Sequence, residues 1–334
     1  MRVVFAGSPA IAVPSLEALS REGGIELVGV LTSPDSPRGR NGRSQPSETG
    51  EAAAAILKEF ETRGRPSFPI LKPLKLDSAI RDQVKEINPD LLVSFAYGRF
   101  FGPKFMALFP LGGINIHPSL LPKYRGPAPI QAAILNRDNV TGISIQELSQ
   151  EMDGGGILAS EELRLTGGET TGSLGEIMAE KAARMLPGVL KKIADGTARA
   201  AVCGTPYGVP QDTGKVSFCS LIAAEDALID WKMSAAEIEA RVRAFDPWPL
   251  CRTVHKGRDL LILKASVYRG KNGGNELRLE KPGLVLGIDK QDGILVQTGE
   301  GILALTKLQY QAKKALFWRD FLNGARGFSG SVLG

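Results

Sequence analysis

The 334-residue chain holds only two histidines, His117 and His255, so the search for a general base is short. His117 ends the run Gly-Gly-Ile-Asn-Ile-His and is followed by Pro118, with Asn115 two residues before it. On a strand, residues i and i+2 share a face, so the carboxamide and the imidazole should project into the same space. Such a pair suits acyl chemistry. The amide N–H can stabilise a developing oxyanion, and the imidazole can manage the proton of an attacking amine. An orienting acid is at hand in Asp153, within Glu151-Met152-Asp153-Gly154-Gly155-Gly156. Taken singly, Asn115 and His117 read equally well as a hydrogen-bonded strand end, and Asp153 as a turn residue. Taken together at strand ends of one sheet, they favour catalysis. His255, in Val-His-Lys-Gly-Arg-Asp, stands beside a hairpin-like turn and is expected at the surface.

These residues need elements to hold them. Short apolar runs at 3–6, 25–31, 91–95, 113–117 and 142–148 read as strands. Helical patterns lie at 11–19, 128–136 and 175–194. Strands alternating with helices predict crossover units and a mostly parallel, Rossmann-like sheet, with ligands beyond the carboxyl ends of its strands. His117 is at such an end, and the Asp153 loop follows the next strand. The texture changes after residue 194. Residues 195–216 are rich in glycine and proline and read as a linker between a domain at 1–194 and a second at 217–334. In the second, Ser234 and Glu237 predict a capping box opening a helix through residue 244. Short strands are expected at 260–263, 284–288, 294–298 and 302–308, between turn-forming stretches. The fold class is therefore α/β, followed by a smaller OB-like β-barrel.

A long stretch at 32–50, rich in Pro, Gly and Ser, carries Arg38, Arg40 and Arg43 and has no acidic residue between Ser36 and Ser47. A loop of this length inside a domain is usually functional or disordered. It reads as either a solvated insertion or a phosphate-contacting lid, and the arginines favour the lid. Net charge is +5, with most of the basic excess after residue 205. That excess suits a polyanion or merely a solvated surface. Hydrophobic residues make up 43% and charged residues 23%, so a core can form without disulfides. Three cysteines without paired spacing argue against a disulfide framework and a cysteine metal site. With no signal-like or membrane-length apolar run, a cytoplasmic protein outside the membrane is expected.

The runs GGINIHPSLLPKYRGPAPIQAAILN and TGISIQELSQEMDGGGIL resemble the signature region of 10-formyltetrahydrofolate-dependent formyltransferases. The start FAGSPAIAVPSLEAL and the Ala96-Tyr97-Gly98 segment are similar as well. Farther on, DALIDWKMSAAEIEARVRAFDPWP and TGEGILALTKLQYQAKKA resemble the C-terminal region of formyltransferases acting on methionyl-tRNA, which single-domain relatives lack. The resemblance implies a catalytic trio of Asn115, His117 and Asp153. It implies a folate site built from Ser119, Leu120, Leu121 and Pro122 with Phe95, Ala96, Tyr97 and Gly98. The formyl donor would be 10-formyltetrahydrofolate, without a metal, and the acceptor the methionine of initiator methionyl-tRNA. Contacts to the tRNA would come from Arg38, Arg40 and Arg43, and from Lys313 and Lys314, with Arg241 and Arg243 as weaker candidates. A monomer is also implied.

The chain departs from the family in its basic loop, where the lysine pair is absent, and in Gly154-Gly155-Gly156, a more flexible run that would loosen Asp153. Rival readings fare worse. A nicotinamide-dependent oxidoreductase needs the GxGxxG spacing, and the first turn has Gly7 alone. A formyltransferase for nucleotide-linked amino sugars would carry a different second domain. An RNA-binding protein with a decayed catalytic domain would not keep all three polar residues.

Overall fold

Arg2–Gly7 (β1), Glu26–Leu31 (β2), Leu91–Phe95 and Gly113–His117 are near-continuous apolar runs, the pattern of strands covered on both faces. A computed structural model of the chain describes residues 1–38, 42–197, 208–270 and 280–334. The remaining elements of the first part are Ser36–Arg38 (β3), Arg43–Gln45 (β4) and Ile70–Leu71 (β5), which precede Leu91–Phe95 (β6) and Gly113–His117 (β7). Val140–Glu147 (β8) and Ile157–Arg164 (β9) follow. The helices are Val13–Arg21 (α1), Glu48–Thr62 (α2), Ser78–Ile87 (α3), Pro103–Met106 (α4), Pro129–Leu135 (α5) and Thr171–Ala194 (α6). The sheet order is β5-β2-β1-β6-β7-β8-β9. Pairing is parallel from β5 to β7 and antiparallel at β8 and β9. The Rossmann-like, mostly parallel sheet expected from the strand and helix pattern is thus present.

Val3, Val4, Phe5, Leu91, Leu92 and Ile114 have no exposed surface, and Ile116 almost none, so the middle of the sheet is core. Gly7 ends β1, and a Cβ there would lie 2.9 Å from the Phe95 carbonyl and 2.8 Å from Ala12 Cβ. Its glycine permits close packing of β1, β6 and the following turn.

The described residues of the stretch 32–50 are more ordered than a loop: β3 pairs antiparallel with β4, and α2 follows, its N-cap Ser47 accepting from Gly50 N at 3.0 Å. The base is pinned by a buried Thr32–Ser47 hydroxyl pair and by Ser8 Oγ to Ser33 Oγ at 2.8 Å. Arg40 lies outside the described residues, and only the backbone of Arg38 is described.

Two compact units divide the chain: residues 1–129, 140–164 and 175–220, and residues 130–139, 165–174 and 221–334. Of the stretch 195–216, residues 198–207 lie outside the described residues, while 208–216 belong to the first unit.

The second unit contains Ala235–Ala244 (α7), Arg252–His255 (β10), Arg258–Val267 (β11), Val285–Asp289 (β12), Gly293–Gln297 (β13), Ile302–Tyr310 (β14), Leu316–Phe317 (β15) and Trp318–Gly324 (α8). The capping box is formed, with Ser234 Oγ accepting from Glu237 N and the Glu237 carboxylate accepting from Ser234 N. The antiparallel order β10-β11-β14-β13-β12 has register shifts in β11 and β12, and bulges of this kind curl a sheet. Residues 330–334 then bridge its two edges. Gly330 N and Leu333 N donate to Val285 O and Gly283 O, and Gly334 N donates to Val254 O in β10. The barrel-like domain expected here is thus present as a curled antiparallel sheet whose edges are linked through residues 330–334.

His255 corrects the surface expectation. It is only 4% exposed, because the pleat of β10 turns Thr253 and His255 inward beside the Lys256-Gly257 turn. Its Nδ1 lies 2.5 Å from the Tyr310 hydroxyl, and its ring stands edge-on to Phe328 at 4.7 Å. Burial, with Lys256 and Arg258 adding to it, pushes its pKa below the ordinary 6.5. Between the folded and unfolded values the unfolded chain binds more protons, so stability falls as the pH drops below about 6.5. The expected outcome is that His255→Phe flattens the fall in unfolding free energy between pH 7 and 5, measured by urea titration. An unchanged slope would assign the acid sensitivity elsewhere.

Candidate active site

β7 brings Asn115 and His117 to the carboxyl end of the last parallel strand, on one face, as the i, i+2 spacing requires. The neighbouring strand β8 runs antiparallel, and its register sets Gln146 opposite Asn115 and Ser144 opposite His117. After β8 the chain turns through residues 148–156 and returns in β9. The three expected site residues meet here. His117 Nδ1 lies 3.5 Å from Asp153 Oδ1, and Asn115 Nδ2 lies 3.4 Å from the same oxygen. The His117 ring is buried, and the Asp153 side chain is 13% exposed.

The other imidazole nitrogen has a partner that sequence reasoning missed. His117 Nε2 is 2.8 Å from the backbone carbonyl of Tyr124. A carbonyl only accepts, so Nε2 carries the proton in this contact, and Nδ1 is the nitrogen with a lone pair in the neutral ring. The loop supplying that carbonyl is fixed from several sides. Ser144 Oγ accepts from Leu121 N at 3.0 Å and donates to Ser119 O at 2.8 Å. Ser119 Oγ donates to Lys123 O at 2.6 Å, and Tyr124 N donates to Ser217 Oγ at 2.9 Å. Tyr124 itself takes φ 58°, a left-handed conformation uncommon outside glycine, which its flanking hydrogen bonds hold in place.

Asp153 shares that conformation, at φ 52°. Aspartate tolerates the left-handed region better than most residues. Its carboxylate accepts from Gly126 N at 2.8 Å through Oδ2 and from Gln146 Nε2 at 2.9 Å through Oδ1. The glycines after it are packed, which corrects the expectation of a loosened loop. A Cβ on Gly155 would lie 1.9 Å from the Glu147 carbonyl oxygen, and one on Gly156 would lie 2.8 Å from the Gly208 carbonyl. Glycine at these positions admits backbone-to-backbone contact.

Cys219 also borders the site, its Sγ 3.5 Å from Tyr124 O and 3.4 Å from Arg125 O. Burial pushes its thiol upward, and the charge of Asp153 adds to that. It stays a thiol at neutral pH and is a poor nucleophile. Among the described residues, no group of three or more His, Cys, Asp or Glu side chains could hold a metal ion.

The expected folate residues fall into two groups. Ser119, Leu120, Leu121 and Pro122 form the turn directly after His117, clamped by Ser144. Phe95 ends β6, and Ala96 and Gly98 follow with positive φ values and exposed backbones. Tyr97 turns away from them into the core, where its ring stacks on Phe101 at 5.4 Å. Its hydroxyl is buried without a hydrogen-bond partner among the described residues, and burial raises its pKa.

The expected tRNA residues are distributed otherwise. Arg43 is exposed on β4, and Lys313 and Lys314 are exposed in the turn after β14. Arg243 is engaged within the second unit, its guanidinium meeting Glu239 at 2.7 and 2.9 Å and Glu169 O at 3.1 Å. Arg241 donates to Asp226 O and lies over the Phe245 ring. Both arginines of α7 serve internal contacts. No described helix is long and apolar enough to cross a membrane.

Comparison with known proteins concerns the whole chain. The formyl transferase family model matches residues 1–190, and the model of the formyl transferase C-terminal domain matches residues 221–326. A methionyl-tRNA formyltransferase of Treponema denticola is 48% identical over 329 residues, covering 98% of each chain. One of Borreliella afzelii is 35% identical, covering 99% of this chain and 98% of its own. Among solved structures, HypX from Aquifex aeolicus in complex with tetrahydrofolic acid superposes with a TM-score of 0.59 at 17% identity, over 98% of this chain and 48% of that one. An N-formyltransferase from Helicobacter canadensis, solved with folinic acid and dTDP-3-aminofucose, gives 0.61 at 18% identity, over 91% and 98%. At such identities these two show the shared fold. The match to the Treponema and Borreliella enzymes along nearly the whole chain, in both domains, shows more: this chain belongs to the methionyl-tRNA formyltransferase family.

Proposed function

We propose that this protein transfers the formyl group of 10-formyltetrahydrofolate to the α-amine of methionine on initiator methionyl-tRNA, giving N-formylmethionyl-tRNA in the cytoplasm. The observation that carries the reading is the convergence of Asn115, His117 and Asp153 within 3.5 Å at the end of β7. The amine nitrogen attacks the formyl carbon, and a new C–N bond forms. The Asn115 amide, projecting from the same face as His117, donates to the oxyanion that develops. His117 accepts the proton released by the amine on Nδ1, its Nε2–H being held by Tyr124 O. Asp153 then faces the imidazolium from 3.5 Å and stabilises it. Collapse breaks the bond to N10, and that nitrogen takes up the proton as tetrahydrofolate leaves.

The residues present suit the donor. Loop 119–122 and the exposed residues Ala96 and Gly98 flank the strand ends beside the trio, where a flat heterocycle could lie. The tRNA would be gripped by the stretch 32–50, through Arg38, Arg40 and Arg43, and by Lys313 and Lys314 of the second unit. Arginine forks fit phosphate oxygens and tolerate many sequences.

Incubation with 10-formyltetrahydrofolate and charged initiator tRNA, with uncharged and elongator tRNAs as controls, tests the reaction. Absence of formyl transfer to the methionyl amine would overturn this reading. His117→Ala should lower kcat by about 10²- to 10⁴-fold, the range typical of a lost general base. Folding and tRNA affinity should stay near wild type, and near-normal turnover would refute the base assignment. Changing Arg38, Arg40 and Arg43 together to Ala should raise the KM for tRNA and flatten its salt dependence. Each lost phosphate contact should remove about 0.7–0.9 from the log–log slope. An unaltered slope would count against the stretch 32–50 as a tRNA contact.

A further inference from the structure

Between the two family matches, which end at residue 190 and resume at 221, lies a segment that neither covers. Its described part is stitched into the first unit on two sides. Val209 exchanges both backbone hydrogen bonds with Ile157, at 2.9 and 2.8 Å. Ser217 N donates to Pro122 O, Arg125 N to Ser217 O, and Cys219 N to Arg125 O. The segment thus ties the loop that supplies the Tyr124 carbonyl to the loop that carries Asp153. Gln211 stands between these two attachments.

Resting on the formyl-transfer reading above, we propose that Gln211 is a positioning residue, which sets the place of the Asp153 carboxylate against His117. The argument follows its hydrogen bonds. Arg125 is 3% exposed, and its Nε and Nη2 lie 3.0 and 2.8 Å from Gln211 Oε1. A guanidinium has donors only, so the atom facing it must be the amide oxygen, and the amide cannot be turned over. Nε2 of Gln211 is thereby aimed at the Asp153 loop. It lies 2.8 Å from Asp153 O, 2.8 Å from Gly155 O and 3.2 Å from Gln146 Oε1. Its two hydrogens are shared among these three acceptors, with the two main-chain carbonyls at the shorter distances, so one side chain pins the backbone on both sides of Gly154.

The same polarity passes to the next amide. With Gln146 Oε1 turned toward Gln211, Gln146 Nε2 faces the carboxylate and donates to Asp153 Oδ1 at 2.9 Å. Arg125, Gln211 and Gln146 form a chain of side chains that leads to the Asp153 loop. The loop needs this hold. Asp153 sits in the left-handed region, and the three glycines after it are seated by backbone contact alone, so any side-chain hold on this turn must come from its neighbours. The Arg125 charge at the head of the chain is balanced by Glu151, at the start of the same loop. A carboxylate displaced by an ångström would lose its relation to the imidazole, the kind of error that lowers turnover by about 10²-fold.

Gln211→Glu is the informative change in the full-length enzyme, because it keeps size and the acceptor facing Arg125 while removing both donors. Its kcat should fall about 10- to 100-fold, with the KM for each substrate moving less than about twofold. Its thermal midpoint should stay within a few degrees of that of Gln211→Ala, since the carboxylate keeps Arg125 as a partner while its second oxygen faces acceptors only. Gln211→Ala should show the same kcat loss. In both variants, amide hydrogen exchange in a peptide spanning 148–158 should be faster than in wild type. Wild-type kcat in Gln211→Glu, or unchanged exchange in both variants, would overturn the proposal. So would a kcat loss matched by equal rises in KM and a fall in midpoint, the pattern of a general structural defect. If the wild-type protein transfers no formyl group, the reaction assignment fails, while the exchange measurement still decides whether Gln211 clamps the loop.

Discussion

One carbonyl oxygen governs the proposed catalytic corner. A buried imidazole N–H needs an acceptor, and the Tyr124 carbonyl meets His117 Nε2 at 2.8 Å. That contact decides which nitrogen is free to take a proton, and it dictates how the surrounding loop is built. Tyr124 adopts a left-handed conformation to turn the oxygen inward, Ser217 holds its N–H, and Ser144 ties the preceding turn to β8. The proposed base is thus oriented by main chain, which leaves the carboxylate of Asp153 to answer the charge that appears on the ring. Strand β7 supplies position, the 119–125 loop supplies orientation, and the 148–156 loop supplies charge.

The sequence made some of this legible and hid the rest for a physical reason. The pairing of Asn115 with His117 follows from a period of two within one strand, and Asp153 follows from a glycine-rich turn after the next strand. Both are local patterns. Gln146 acquires its place only from the antiparallel register that sets it opposite Asn115, and Gln211 only from a bridge between Val209 and Ile157. Such pairings are tertiary and leave no periodicity in either segment. A backbone carbonyl such as that of Tyr124 is less visible still, because any residue type could supply it. The strand β9 escaped notice because Ile157–Arg164 is an edge, with no fully buried residue to mark it as core.

The second unit shows the same division. Ser234 and Glu237 announce the start of α7 because capping is a contact over three residues. The role of the last five residues in linking the edges of the curled sheet depends on meeting β12 and β10, far away in sequence. His255 is buried where its neighbouring turn suggests the surface, because a turn does not set which way the strand before it faces. The turn fixes where the chain reverses, whereas the aromatic neighbours Tyr310 and Phe328 fix which side of the pleat is inside.

Three successive glycines beside a proposed catalytic acid suggest a mobile loop, yet the distances argue for constraint. Glycine freedom is a property of the unfolded chain, and what matters in the folded one is what the missing Cβ permits. At Gly155 it permits contact with the Glu147 main chain, where a Cβ would lie 1.9 Å from the carbonyl oxygen. At Gly156 it permits contact with Gly208, itself a position where a Cβ would lie 2.3 Å from a Gly156 backbone atom. Side chains there would lift the loop from β8 and from the segment carrying Gln211, and the amide of Gln211 could no longer reach Asp153 O and Gly155 O together. Backbone contact replaces side-chain packing as the source of rigidity, and it brings the carboxylate within 3.5 Å of the imidazole.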